Sequence, residues 1–330
     1  MAKKKSRSRG RKMQPAVTDL FFTADVATQG DARSYVDTAK ELSKINRRLY
    51  AQGKMYAYQG LTFIWRQDPT NPLASLEVTV ATAPNTWIVH NAWVKGNALW
   101  NEMNQLVLDD NPSIKGTWHD FKVGLAGSQS LARSLNVKAG NGTDVNGGEW
   151  EISTFVMPQH EVDPVTGLPL PADELTALLI GDDTSTKRSL VKAYQNSRAT
   201  VQPVDPSVPA GMSTSFFNLL TDSGSQEPEL ADVIEDENDE PPYDQDEYPG
   251  GGVNAIVPQP VHYAAVSASE VDGRIGGFVA PCGLLEITIK GYDAAGAPVA
   301  NANMPAIEMI LHVAPGMYKG VAAIDLGPGS

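Results

Sequence analysis

The chain has 330 residues, 42% of them hydrophobic, with 26 Lys+Arg against 39 Asp+Glu for a formal charge of −13, and a single cysteine. This is enough apolar content for one large or two ordinary cores, while a lone Cys282 excludes an intrachain disulfide framework and a multi-cysteine zinc site and suits a reducing compartment. No window approaches the roughly eighteen apolar residues of a membrane-spanning helix, so no membrane partner is expected. The 29 glycines and 23 prolines between strand-like runs favour an all-β body over a helical bundle.

Met1 to Lys12 carries Lys3, Lys4, Lys5, Arg7, Arg9, Arg11 and Lys12 and no acidic residue. Without it, 19 basic residues face 39 acidic ones, so a segment of +7 precedes a body of about −20. Its like charges repel and it has almost no apolar surface to offset the entropy of ordering, which predicts disorder in isolation. Such an arm can neutralise a polyanion by displacing condensed counterions, independently of sequence. No aromatic residue is interleaved before residue 20, so phosphate contact is expected and base stacking is not. The arm also fits a nuclear localisation signal, and an import or solubilising tail is its plain alternative. It runs into Met13-Gln14-Pro15 and not into the apolar core of a signal peptide.

Residues 13–30 form a connector with Leu20-Phe21-Phe22 as its first apolar anchor. Val36, Ala39, Leu42, Ile45 and Leu49 recur every three or four positions, predicting a helix that ends near Gly53. Strand-like runs follow at 56–65, 76–83 and 86–94, and a second helical pattern at 95–108. Asn-Gly pairs at 141 and 146 predict a hairpin or loop within 111–148, before a strand over 149–157. Four prolines between 158 and 173 mark a surface loop, after which 174–180, 189–194 and 200–204 are short ordered pieces and 212–220 a helical turn or two.

From about 222 to 252 the composition collapses into acid, proline and glycine, with eleven carboxylates between Glu227 and Glu247. No Lys or Arg stands between Arg198 and Arg274, which predicts a solvated excursion. Strand patterns return at 253–257, 261–271, 276–279, 284–292, 307–313 and 321–326, and Leu285 to Lys290 alternates with period two. Nine or ten strand candidates without an internal repeat suit a two-sheet sandwich. The expected organisation is a disordered arm and connector over 1–30 and a single domain over 31–330.

Catalytic constellations are missing from the sequence. It contains no phosphate-binding loop, dinucleotide fingerprint, HExxH or GxSxG motif. Its five histidines (90, 119, 160, 262 and 312) stand singly, with His90 and His312 in strand-like runs where a structural role is expected. Cys282, between Pro281 and Gly283, is read as a small buried residue. The acidic tract could ligate a hard cation, but its spacing is not that of an EF-hand. The expectation is therefore no enzyme, no cofactor and no metal.

Three stretches carry a resemblance: Ile45-Asn46-Arg47-Arg48-Leu49-Tyr50-Ala51-Gln52-Gly53 after a basic arm, Leu190-Val191-Lys192-Ala193-Tyr194-Gln195-Asn196-Ser197-Arg198-Ala199-Thr200-Val201, and Ala280-Pro281-Cys282-Gly283-Leu284-Leu285-Glu286-Ile287. Together they resemble the capsid proteins of circular single-stranded DNA viruses that encode a replication initiator. The resemblance implies a single jelly-roll sandwich that assembles with copies of itself into an icosahedral shell in the virion, built in the host nucleus. It also implies that the arm lies inside on the genome, a single-stranded DNA. By that match Lys3, Lys4, Lys5, Arg7, Arg9, Arg11 and Lys12 hold nucleic acid, followed by Arg47 and Arg48, which could equally form interface ion pairs. The acidic insertion departs from the pattern, and an outward projection is expected because its carboxylates would repel packaged DNA. The open alternative is a non-viral β-sandwich binding module whose arm is an import signal.

Overall fold

The computed structural model describes residues 14–66, 72–116, 118–127, 129–157, 165, 173–197 and 256–327. First come β1 (Asp19–Ala24), the single turn α1 (Val26–Gln29), β2 (Arg33–Asp37), α2 (Thr38–Asn46), β3 (Lys54–Trp65) and β4 (Ser75–Thr82). An excursion then runs through α3 (Trp87–Asp110), β5 (Gly124–Ala126), α4 (Gln129–Ala132), β6 (Thr154–Met157), β7 (Asp173–Ile180), β8 (Lys187–Ser189) and α5 (Leu190–Asn196). The last part holds β9 (Gln259–Ser267), β10 (Asp272–Ile275), β11 (Phe278–Pro281), β12 (Leu284–Tyr292) and β13 (Ile307–Val313). Three short strands follow: β14 (Pro315–Gly316), β15 (Gly320–Val321) and β16 (Ala323–Asp325).

The protein is mostly β-sheet. One antiparallel sheet runs β1-β13-β3-β10, with β11 and β16 also on β3, and a second runs β2-β12-β4-β9. Inward side chains of both meet in one core that includes Phe22, Tyr56, Phe63, Trp65, Val80, Ile287 and Leu311, and each large side chain so buried contributes about 1.5–3 kcal/mol. The period-two run in β12 behaves as its alternation predicts: Ile287 and Ile289 are buried opposite Val80 and Val78 of β4, while Lys290 is exposed. The twelve-residue β3 carries β10 beside Leu61–Ile64 and β11 beside Met55–Tyr58. Gly60 (φ 146) sits between the two, where a Cβ would fall 2.2 Å from the Ile275 carbonyl oxygen, so glycine is required at this bend.

A third, smaller sheet, β5-β7-β6 with β8 on β7, belongs to the excursion, and β7 pairs in parallel with β5 and β8. It shares a second core with α3 and α5 that includes Ile88, Val89, Phe121, Phe155, Leu179 and Leu190.

Several sequence expectations need correction. The run 86–94 is helical: α3 begins at Trp87 because the Thr86 side chain accepts from Val89 N, and Ile88, Val89, Ala92 and Leu99 form its buried face. A β-branched run had suggested a strand, but tertiary burial on one helical face outweighs that propensity. His90 therefore sits in a helix, bonded to Asn85 (2.8 Å). The helix expected from Val36 is divided, since Val36 lies in β2 and α2 starts after Asp37 and ends at Asn46. The strand expected over 149–157 forms only from Thr154. The helical pattern expected over 95–108 is part of a longer element, the 24-residue α3. The pieces expected at 200–204 and 212–220, and the acidic tract, lie outside the described residues. Cys282 is buried in a tight turn (φ 58) with its thiol pushed up by burial, as a small inert residue would be.

Two buried polar clusters join the layers. Asp37 Oδ1 caps α2 by accepting from Lys40 N (3.0 Å), and Oδ2 accepts from Gln52 Nε2 (2.7 Å) and Trp150 Nε1 (3.1 Å). Gln52 also holds both backbone groups of Val123, accepting from its N–H (2.7 Å) and donating to its carbonyl (3.1 Å). Alongside, Glu41 Oε2 accepts from Lys44 Nζ (2.8 Å) and Val137 N (2.7 Å), and Lys44 also donates to Asn136 Oδ1 (3.0 Å).

Burial raises the Asp37 pKa to about 6, against the lowering effects of the Lys40 N–H, Gln52 and the Lys40 charge. The folded state thus holds this proton more tightly than the unfolded state, so stability is highest below pH 4 for this group and falls as pH rises towards 6. Melting temperatures measured from pH 7.5 down to 5 should rise on acidification, and Asp37→Asn should flatten that slope. Lys44→Met, which strands Glu41 uncompensated, should cost about 3–5 kcal/mol in denaturant melts.

Candidate nucleic-acid interface

The arm residues Lys3, Lys4, Lys5, Arg7, Arg9, Arg11 and Lys12 lie outside the described residues. What the fold places is the point where the arm joins the body. Asn46, in the last turn of α2, bonds both backbone groups of Val17, accepting from its N–H (2.8 Å) and donating to its carbonyl (3.1 Å). Arg48 Nη1 donates to Gln14 Oε1 (3.3 Å). The connector then passes so close to the 318–320 turn that a Cβ on Gly320 (φ 100) would lie 2.5 Å from the Gln14 carbonyl oxygen.

Around this junction four cations collect. Arg47 closes α2 in the left-handed region (φ 52), with its N–H bonded to Ser43 O. Arg48 follows it, and both are exposed. Lys319, also left-handed (φ 52), donates to the Leu49 carbonyl, and its ammonium lies 5.8 Å from the Tyr50 ring centre and 5.3 Å from that of Tyr318. Lys54 Nζ sits 4.5 Å from the Tyr318 ring centre and pairs with the exposed Asp325.

The two tyrosines form the floor of this patch. Their rings meet edge to face (6.1 Å, 84°), Tyr50 OH donates to Lys319 O (2.9 Å), and Tyr318 OH accepts from Ala51 N (3.0 Å). Burial pushes the Tyr50 phenol up from its ordinary value, with Arg48 acting in the opposite direction. Among the described residues neither Arg47 nor Arg48 forms an ion pair. Cations over aromatic faces with few competing carboxylates suit phosphate contact.

Sequence reading picked out Arg47 and Arg48 but not Lys54, Lys319, Tyr50 or Tyr318. Lys319 is about 270 positions away from its contact at Leu49, so only the pairing of the chain's two ends brings it to the patch. The sole local signal was the Tyr318-Lys319-Gly320 turn. Among the described residues no group of three or more His, Cys, Asp or Glu could hold a metal ion, and no helix is long and apolar enough to cross a membrane. No protein-family model, curated protein or solved structure matches the chain.

A non-glycine residue in the left-handed region costs about 1 kcal/mol. Arg47→Gly should therefore leave stability unchanged or raise it by about that amount. Combined with Arg48→Gln, it should reduce the slope of log affinity against log salt by about 1.4 for single-stranded nucleic acid, at roughly 0.7 per phosphate contact. Binding titrations across a salt series, set beside denaturant melts of the same variants, check both effects.

Proposed function

We propose that this chain is a structural subunit that assembles with copies of itself into a closed shell and packages a nucleic-acid genome through its basic N-terminal arm, in the manner of the circular single-stranded DNA virus capsids it resembles. The observation that carries this reading is the junction at Gln14: a +7 segment joins an acidic β body beside Arg47, Arg48, Lys54 and Lys319. A body of about −20 repels a polyanion everywhere else, so the genome is held at this one face.

Strand order supports the jelly-roll form of the proposal. Counting only the eight main strands in chain order, the sheets run 1-8-3-6 and 2-7-4-5, the interleaving of early and late strands that two nested Greek keys produce. Self-assembly draws support from apolar surface that a neighbouring copy would cover. Phe21 is 50% and Ile64 38% exposed on one sheet, and the uncharged β9 at the edge of the other carries Tyr263 at 67%. Symmetric closure multiplies each weak contact and each arm.

Deleting residues 1–12 should leave the β body folded and its particles depleted of nuclease-protected nucleic acid. Electron microscopy of the purified protein paired with a nuclease-protection assay tests this. Particles that keep the same protected nucleic acid without the arm would refute the packaging role, and a monomer at all concentrations would refute the shell.

A further inference from the structure

The two main sheets end in β1, β10, β2 and β9, and the first three of these edges are covered or short. β2 is bonded by the chain at 133–135, with Tyr35 N donating to Arg133 O (3.0 Å) and Leu135 N to Tyr35 O (2.7 Å). β1 accepts at Phe21 O from Lys138 N (2.8 Å), and β10 has only four residues. β9 has nine, and among the described residues no segment other than β4 bonds to the backbone of 259–266.

Sheet edges are ordinarily blunted by charge, proline, a bulge or brevity. Two of these devices act at the start of β9: Pro260 lacks an N–H, and the register slips at Val261, since His262 faces Val80 while Pro260 faces Ala81. Residues 262–266 have none of them. The whole stretch 248–269 holds no Asp, Glu, Lys or Arg, although 20% of the chain is charged. Ala264 and Val266 lie on the inner face opposite Val78 and Leu76, while Tyr263 and Ala265, opposite Thr79 and Glu77, are exposed.

A row of open N–H and C=O groups selects an extended strand as its partner, and a second copy brings one without charge. Bodies of about −20 repel each other elsewhere. At this seam the nearest carboxylate of the neighbouring strand is Glu77, and two copies of it would stand about 14 Å apart across three strand spacings, beyond the screening length of about 8 Å. We propose that two copies of the chain pair β9 with β9 in antiparallel, joining their four-stranded sheets into one of eight. This rests on the self-assembly reading above and names the strand through which copies meet. A twofold axis normal to the sheet sets one residue opposite its own copy, and the middle of 262–266 is Ala264. Tyr263 then covers Ala265 of the second copy, and the two Tyr263 rings lie on a diagonal of about 7–8 Å, within aromatic reach.

The test uses the full chain. Ala264→Cys under mild oxidation should give a disulfide-linked dimer, because directly opposed residues stand about 4.5–5.5 Å apart at Cα, inside the range a disulfide spans. Ala265→Cys should link far less, and the unsubstituted chain, whose Cys282 is buried, not at all. Tyr263→Lys sets two ammonium groups on that diagonal and removes both rings, so it should raise the dimer dissociation constant at least about tenfold in sedimentation, with the melting temperature unchanged. Equal linkage at 264 and 265, a mixed disulfide with a co-purifying protein in place of the homodimer, or particles indifferent to Tyr263→Lys would overturn the pairing while leaving assembly intact. Dimers linked through Ala264→Cys that never close into particles would support the pairing and refute the shell alone.

Discussion

The fold depends on one buried carboxylate. Asp37 ends β2, caps α2, and through Gln52 and Trp150 reaches the approach to β3, the backbone at Val123 and the segment leading into β6. An acceptor so placed must be fully bonded or it destabilises the core, and Asp37 meets that requirement with donors from three parts of the chain, Lys40, Gln52 and Trp150. Glu41 and Lys44, one turn further along α2, attach Asn136 and Val137 in the same way. A helix of nine residues is thereby fixed by polar contacts at one end and across its buried face. Its other end has a settled direction as a result, and that end carries Arg47 and Arg48.

The surface patch is a product of this rigidity. Asn46 holds the connector by both backbone groups of Val17, and Ser43 accepts the N–H groups of Arg47 and Arg48 while its hydroxyl accepts from Tyr50 N. Two cationic residues in left-handed backbone, Arg47 and Lys319, stand at this junction, and Lys319 is held against the pair of tyrosines. Strain of this kind persists only where the surroundings over-determine it, and here the surroundings are the helix end and the 318–320 turn.

Much of the sheet framework was legible in the residues themselves. β3, β4, β12 and β13 follow from β-branched and aromatic runs bounded by turn signals, because in a half-buried strand the local pattern and the packing agree. Legibility failed where tertiary contacts decide. Trp87 to Val94 has strand-like composition, but its first turn is capped by Thr86 and its apolar face is claimed by the second core. Parallel pairing of β7 with β5 and β8 had no local signature at all. At the patch the arginines stood out as an adjacent pair, whereas Lys319 and Tyr318 gain meaning only from neighbours far away in sequence. Asp37 looked like any polar residue beside a helix, since nothing local marks a carboxylate as buried.

The pairing of β1 with β13 also bears on the order of events in synthesis. During synthesis the basic segment is made before the body that follows it, yet the strand that anchors that segment finds its partner only after residue 313 has been made. β4 likewise waits for β9 across the whole excursion. Closing such long loops costs only about 0.6 kcal/mol for each doubling of length, so the native state tolerates the arrangement, but non-local pairing slows its formation. The junction at Gln14 is therefore among the last parts of the molecule to be assembled, and a nascent or truncated chain carries the charge of the arm without the surface beside which it is meant to stand.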